Sequence, residues 1–140
     1  MEPWPLRGAE DDRLLSEWPL TIRFSGAAKR LATLRAEIDG WLRGEKVPAE
    51  SRVAVILAAH EAAANAVEHS RSSAEVVVRG RVVNDLVMLE VHDQGQWKAE
   101  TSDDDERGRG LSLITSLVDE LEIERTDAGS AIRMQLRISA

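Results

Sequence analysis

The sequence predicts an α+β domain: one mostly antiparallel sheet with helices on one face. Three observations predict it. Five short runs are rich in β-forming residues, and four of them form two adjacent pairs joined by turn residues. Three other stretches read as helices: one places apolar residues at steps of three and four, the spacing of one helical face, one is rich in alanine, and one is marked by Leu111, Ile114, Leu117 and Val118. The resulting order, β-α-α-β-β-loop-α-β-β, keeps strands apart from helices, which favours an antiparallel sheet over a parallel one.

Residues 1–17 carry Pro3, Pro5 and the acidic run Glu10-Asp11-Asp12, and read as a loose N-terminal arm before a domain spanning 18–140. Leu20, Ile22 and Phe24 alternate with Thr21 and Arg23, the period of a half-buried strand. Ser25 can cap a helix whose stripe is Leu31, Leu34, Ile38, Trp41 and Leu42. Gly44 and Pro48 punctuate. An alanine-rich second helix runs from about Ala49 to His69. Ala74–Val83 and Leu86–His92 form a hairpin across Asn84-Asp85. Residues 93–109 are acidic and glycine-containing, without apolar period, and read as a loop. Leu111, Ile114, Leu117 and Val118 mark a third helix. Leu121–Thr126 and Ala131–Ile138 close the chain as a hairpin across Asp127-Ala128-Gly129-Ser130.

Bulk properties narrow the function. The 140 residues suit one domain with a real core, and 43% are hydrophobic and 31% charged. A formal net charge of -7, with no basic stripe, argues against direct binding of nucleic acid. No apolar run approaches the roughly 20 residues that span a bilayer. The first residues lack an apolar signal core, and there is no cysteine, so a cytoplasmic location away from membranes is expected.

Three motifs carry chemistry. On the second helix, Glu61, Asn65 and His69 stand at i, i+4 and i+8, along one face, among alanines that let a bulky ligand approach. An asparagine carbonyl can bind Mg²⁺ beside phosphate oxygens, and a carboxylate can take a proton from an attacking hydroxyl. Alone, the Glu/Asn pair reads more readily as the polar face of a solvated helix. At a strand end, Asp93-Gln94-Gly95 offers an acceptor for the adenine amino group, and Gly95 lets backbone approach the base. Alone, it also reads as a turn. At the third helix, Arg107-Gly108-Arg109-Gly110-Leu111 exposes backbone N–H groups at a helix N-terminus, a natural phosphate cradle.

In that order, the three motifs resemble the asparagine box and two glycine boxes of the GHKL ATPases, and Gly129-Ser130 resembles the last box, usually Gly-Thr. Within the superfamily the chain most resembles the anti-sigma factor serine kinases over about residues 18–138. The features are E-A-x-x-N-A-x-x-H at Glu61–His69, R-G-x-G-L-x-L-I at Arg107–Ile114, and the short span from Gly95 to Gly108. The resemblance implies a two-layer α/β sandwich of the Bergerat type, with ATP and Mg²⁺ as cofactors. It implies transfer of the γ-phosphate to a serine of a STAS-type anti-anti-sigma protein, sequestration of a sigma factor, and a homodimer. Glu61 would be the general base and Asn65 the Mg²⁺ ligand. Asp93 would read adenine above Gly95, with Ser130 supporting Asp93 through water. Gly108, Arg109, Gly110 and Leu111 would hold the phosphates, with Arg107 near their β/γ end. Trp97 stands where the family often has a second glycine, and Asp103–Glu106 place four carboxylates in the lid. Two other readings share these boxes: an ATP-binding regulatory switch without kinase activity, and a kinase-like domain of a larger signalling protein. Lys29, Arg30 and Arg35 on the first helix offer basic groups to an acidic sigma factor.

Overall fold

The computed structural model describes residues 18–25, 30–69, 75–93, 112–126 and 129–138. Strands β1 (Leu20–Ser25), β2 (Glu75–Val83), β3 (Leu86–Asp93), β4 (Glu120–Thr126) and β5 (Gly129–Arg137) form one sheet in the order β1-β2-β3-β5-β4, every neighbour antiparallel. Helices α1 (Arg30–Gly44) and α2 (Ala49–His69) precede β2. A short helical stretch covers 112–117, within the expected third helix. The expected order of elements therefore holds among the described residues.

The register explains which side is covered. Ile22 pairs with Val78, Val78 with Val91, Val91 with Ile132, and Ile132 with Ile123. In a pleated sheet such a row shares one face. Ile22, Val78, Val91 and Ile132 are at most 5% exposed, and they join Leu34, Ile38 and Leu42 of α1 and the alanines of α2 in one core. α2 achieves close approach through size: Ala58, Ala59, Ala62, Ala63 and Ala66 are all essentially inaccessible. Gly80 serves the same end on β2. A Cβ there would lie 2.8 Å from the Trp41 ring of α1 and 3.0 Å from Leu89.

Two turns differ from the sequence expectation. α1 continues through Gly44, and the left-handed residue is Lys46, at φ 62°. The Val47 amide donates to the Leu42 carbonyl and the Lys46 amide to Arg43, each at 3.0 Å, the paired bonds of a Schellman cap. Burial of Val47, at 2% exposed, draws the chain back into the core two residues later than the glycine suggests. The last hairpin is tighter than expected, because Gly129 and Ser130 already belong to β5, opposite Thr126 and Arg125. Gly129 adopts φ 148°, a backbone conformation that L side chains rarely take. Ser25, expected as a helix cap, is the last residue of β1 and pairs with Glu75; residues 26–29 lie outside the described residues. In the β2–β3 turn, Asn84 takes φ 58°, which asparagine tolerates.

Candidate functional site

The buried face of α2 brings Asn65 against the sheet. Its side chain is 7% exposed, and among the described residues its Nδ2 has no hydrogen-bond partner. A buried amide left without a partner costs free energy unless a ligand or water completes it. One turn earlier, Glu61 is partly open to solvent, its side chain 29% exposed. Its Oε2 lies 3.8 Å from Nδ1 of the neighbouring His60. The helix thus presents a carboxylate at the rim and an amide inside, both among alanines.

Asp93 and Ser130 form the second part. The strands place them opposite one another at the ends of β3 and β5, on the helix-covered face with Val91 and Ile132. The Ser130 Oγ–H donates to Asp93 Oδ2 at 2.6 Å, and both residues are 6% exposed. Water was the expected intermediary; the structure makes the contact direct, because β3 and β5 are adjacent at this row. Asp93 is thereby held as an oriented acceptor at the sheet end. α2 packs against β2, β3 and β5, so the Glu61/Asn65 helix lies over the strands that carry this pair. Gly95, Arg107, Gly108, Arg109, Gly110 and Leu111 lie outside the described residues, as do Trp97 and Asp103–Glu106. Of the basic groups on the first helix, Lys29 also lies outside. Arg30 is already engaged, 3.6 Å from Glu37 and 5.7 Å from the Phe24 ring centroid, whereas Arg35 is exposed.

Across the sheet lies a cluster that sequence reading missed. Arg79, Glu90 and Arg133 share one row of the face opposite the helices. Glu90 Oε1 accepts from Arg79 Nε at 2.9 Å and Nη2 at 2.7 Å, and lies 2.7 Å from His92 Nε2. Arg133 stands 3.5 Å from Glu90 Oε2 and donates to Glu124 at 2.8 Å. Trp18 stacks on Arg79, 4.5 Å from guanidinium to ring centroid. Burial alone pushes the Glu90 carboxyl up, but the His92 hydrogen bond and the Arg79 charge outweigh it and hold the group below its ordinary value. The available signal was opposite charge at the outward phase of paired strands, Arg79 against Glu90. A cleft of about 250 Å³ opens beside this cluster at the sheet end, walled by His92, Glu124, Ala131 and Arg133 together with Asp93, Gly129 and Ser130. The cleft thus joins the outer-face cluster to the Asp93–Ser130 pair at the end of β3 and β5.

Among the described residues no helix is long and apolar enough to cross a membrane. The profile of the histidine kinase-like ATPase domain matches residues 24–136. The chain also superposes on the crystal structure of the RsbU and RsbW domains of Rv1364c from Mycobacterium tuberculosis, with a TM-score of 0.69 and 23% identity. That match covers 86% of this chain and 33% of the other, so this chain spans a third of that structure. At this identity the likeness establishes the fold.

Proposed function

This chain belongs to the histidine kinase-like ATPase domain family, and on that premise we propose that it is an ATP-dependent protein-serine kinase and anti-sigma factor. Its substrate is a serine of a STAS-type anti-anti-sigma protein, and its second partner is a sigma factor. The observation that carries this reading is the α2 pair: a rim carboxylate, Glu61, one turn from a buried amide, Asn65, whose Nδ2 has no partner among the described residues.

Asp93, fixed by Ser130, accepts a hydrogen bond from the adenine amino group. Guanine carries a carbonyl at that position and meets the carboxylate as acceptor against acceptor. Asn65 fits a Mg²⁺ ion that takes most of its ligands from phosphate and water, because such an ion needs few protein oxygens. Its amide oxygen and nitrogen exchange by rotation of the side-chain end, so the orphaned terminus can present either atom. Bound Mg²⁺ supplies charge neutralisation on the phosphates. In the transfer, the serine oxygen forms a bond to the γ-phosphorus, the bond from that phosphorus to the bridging oxygen breaks, and ADP leaves. The serine proton passes to the Glu61 carboxylate, which its 29% exposure leaves within reach of a protein substrate. Gly108 and Gly110 hold the phosphates, with Arg107 near their outer end.

A homodimer forms through β1. Among the described residues that strand has no partner strand on its outer side, and such an edge tends to pair.

Calorimetry with Mg-ATP and Mg-GTP tests the nucleotide part. Wild type is expected to prefer ATP, and Asp93→Asn, which replaces an acceptor oxygen by a donor, is expected to lose about tenfold or more in ATP affinity. Equal wild-type affinity for the two nucleotides contradicts the role of Asp93.

A further inference from the structure

α2 carries more apolar surface than its core contacts require. Among the described residues only three large apolar side chains are clearly exposed: Val53 at 64%, Leu57 at 38% and Val83 at 38%. Two of them stand one turn apart on α2. The same i+4 step then reaches Glu61 and, one turn further, Asn65. Along this row exposure falls steadily, from 64% at Val53 and 38% at Leu57 to 29% for the Glu61 side chain and 7% at Asn65. Each i+4 step turns about 40° around the helix, so successive members are neighbours and the row winds from the solvent side at Val53 to the nucleotide side at Asn65. Ala64, seven residues beyond Leu57, is half-buried and extends the apolar side. Glu50, Glu61 and Glu68, at steps of eleven and seven, fall on one line along the helix, which the row crosses at Glu61.

We propose that Val53 and Leu57 are the docking surface for the protein substrate, and that they guide its serine to Glu61. This rests on the kinase reading above and assigns where that kinase grips its substrate. Continuity supports it: the exposed apolar pair lies on the same helix row as the reactive carboxylate, with no other side chain of the row between. Charge supports it too: the line of carboxylates that crosses the row, on a protein of net charge -7, selects a substrate patch that is apolar where it meets Val53 and Leu57 and bears lysine or arginine beside that contact. Adenine and phosphate recognition stay with Asp93, Ser130, Asn65 and the glycines, so the track acts on protein binding alone.

The test is a double variant, Val53→Gln with Leu57→Gln. Glutamine is a good helix former, and both positions are exposed, so the fold is expected to stand. Val83→Gln, the third exposed apolar side chain and on β2 instead of α2, is the control. Transfer of labelled phosphate to a purified STAS-domain protein is measured against its concentration, with Mg-ATP affinity and Tm in parallel. The double variant is expected to raise the KM for the STAS protein about tenfold, with kcat at saturation, ATP affinity and Tm unchanged. Val83→Gln is expected to change nothing. A double-variant KM within twofold of wild type overturns the docking track and leaves the kinase reading standing. A wild type that binds ATP but neither binds nor phosphorylates the STAS protein overturns the kinase reading, and the docking track with it.

Discussion

Ser130→Ala deletes one oxygen and little else. That oxygen donates to Asp93 Oδ2 over 2.6 Å, with both residues 6% exposed. Water reaches such a site poorly, so the carboxylate loses a donor that solvent does not replace. Hydrogen bonds to charged groups are worth about 1.5–3 kcal/mol. Unfolding entropy near 2.1 cal/mol/K per residue gives about 0.29 kcal/mol/K for a chain of 140 residues, so Tm is expected to fall by roughly 5–10 °C. The same loss frees the Asp93 carboxylate from its fixed orientation. If about half of it appears in adenine binding, the affinity for Mg-ATP drops by roughly 3–15-fold at 1.36 kcal/mol per decade. Ser130→Thr keeps the hydroxyl and is expected to stay near wild type in both. Scanning calorimetry and titration calorimetry on the three proteins check this. Unchanged Tm and ATP affinity in Ser130→Ala refute the reasoning; so does a threonine variant that behaves like the alanine one.

Other expectations follow from the same geometry. Glu90→Gln removes the charge that balances Arg79 and Arg133 on the second sheet face; breaking such a buried pair costs about 3–5 kcal/mol, read as a denaturant midpoint shift. Because the folded Glu90 pKa lies below its ordinary value of 4.5, its contribution is full above that pH and is lost as pH falls through the folded value beneath it. Wild type is therefore expected to lose stability more steeply than Glu90→Gln below about pH 4.5, and parallel acid-unfolding curves would falsify the pairing. Gly80→Ala drives a Cβ to 2.8 Å from the Trp41 ring and is expected to cost about 1–3 kcal/mol with a change in tryptophan fluorescence; an unchanged midpoint shows that the ring yields freely.

Much of this arrangement was legible in the sequence because it is local. The alternation of Leu20, Ile22 and Phe24, the alanine run of α2 and the Glu61/Asn65 spacing each depend on a few neighbouring residues. Long-range pairing hid the rest. Ser130 meets Asp93 across 37 positions, and the direct contact follows only once β5 inserts between β3 and β4. Arg133 joins Arg79 and Glu90 for the same reason: three strands must align before the row exists. The cap at Lys46 was masked by Gly44, since local propensity favoured the glycine while burial of Val47 decided the turn.

The role of Glu61 is tested most directly by single-turnover phosphoryl transfer to a STAS-domain protein, wild type against Glu61→Gln, with Mg-ATP affinity measured on both. Glutamine preserves size and hydrogen bonding but cannot accept the serine proton at neutral pH. The predicted result is ATP affinity within about twofold of wild type and a transfer rate lower by about 10²–10⁴-fold. Transfer by Glu61→Gln at the wild-type rate would contradict the account, because the carboxylate at the rim of α2 would then have no part in the chemistry.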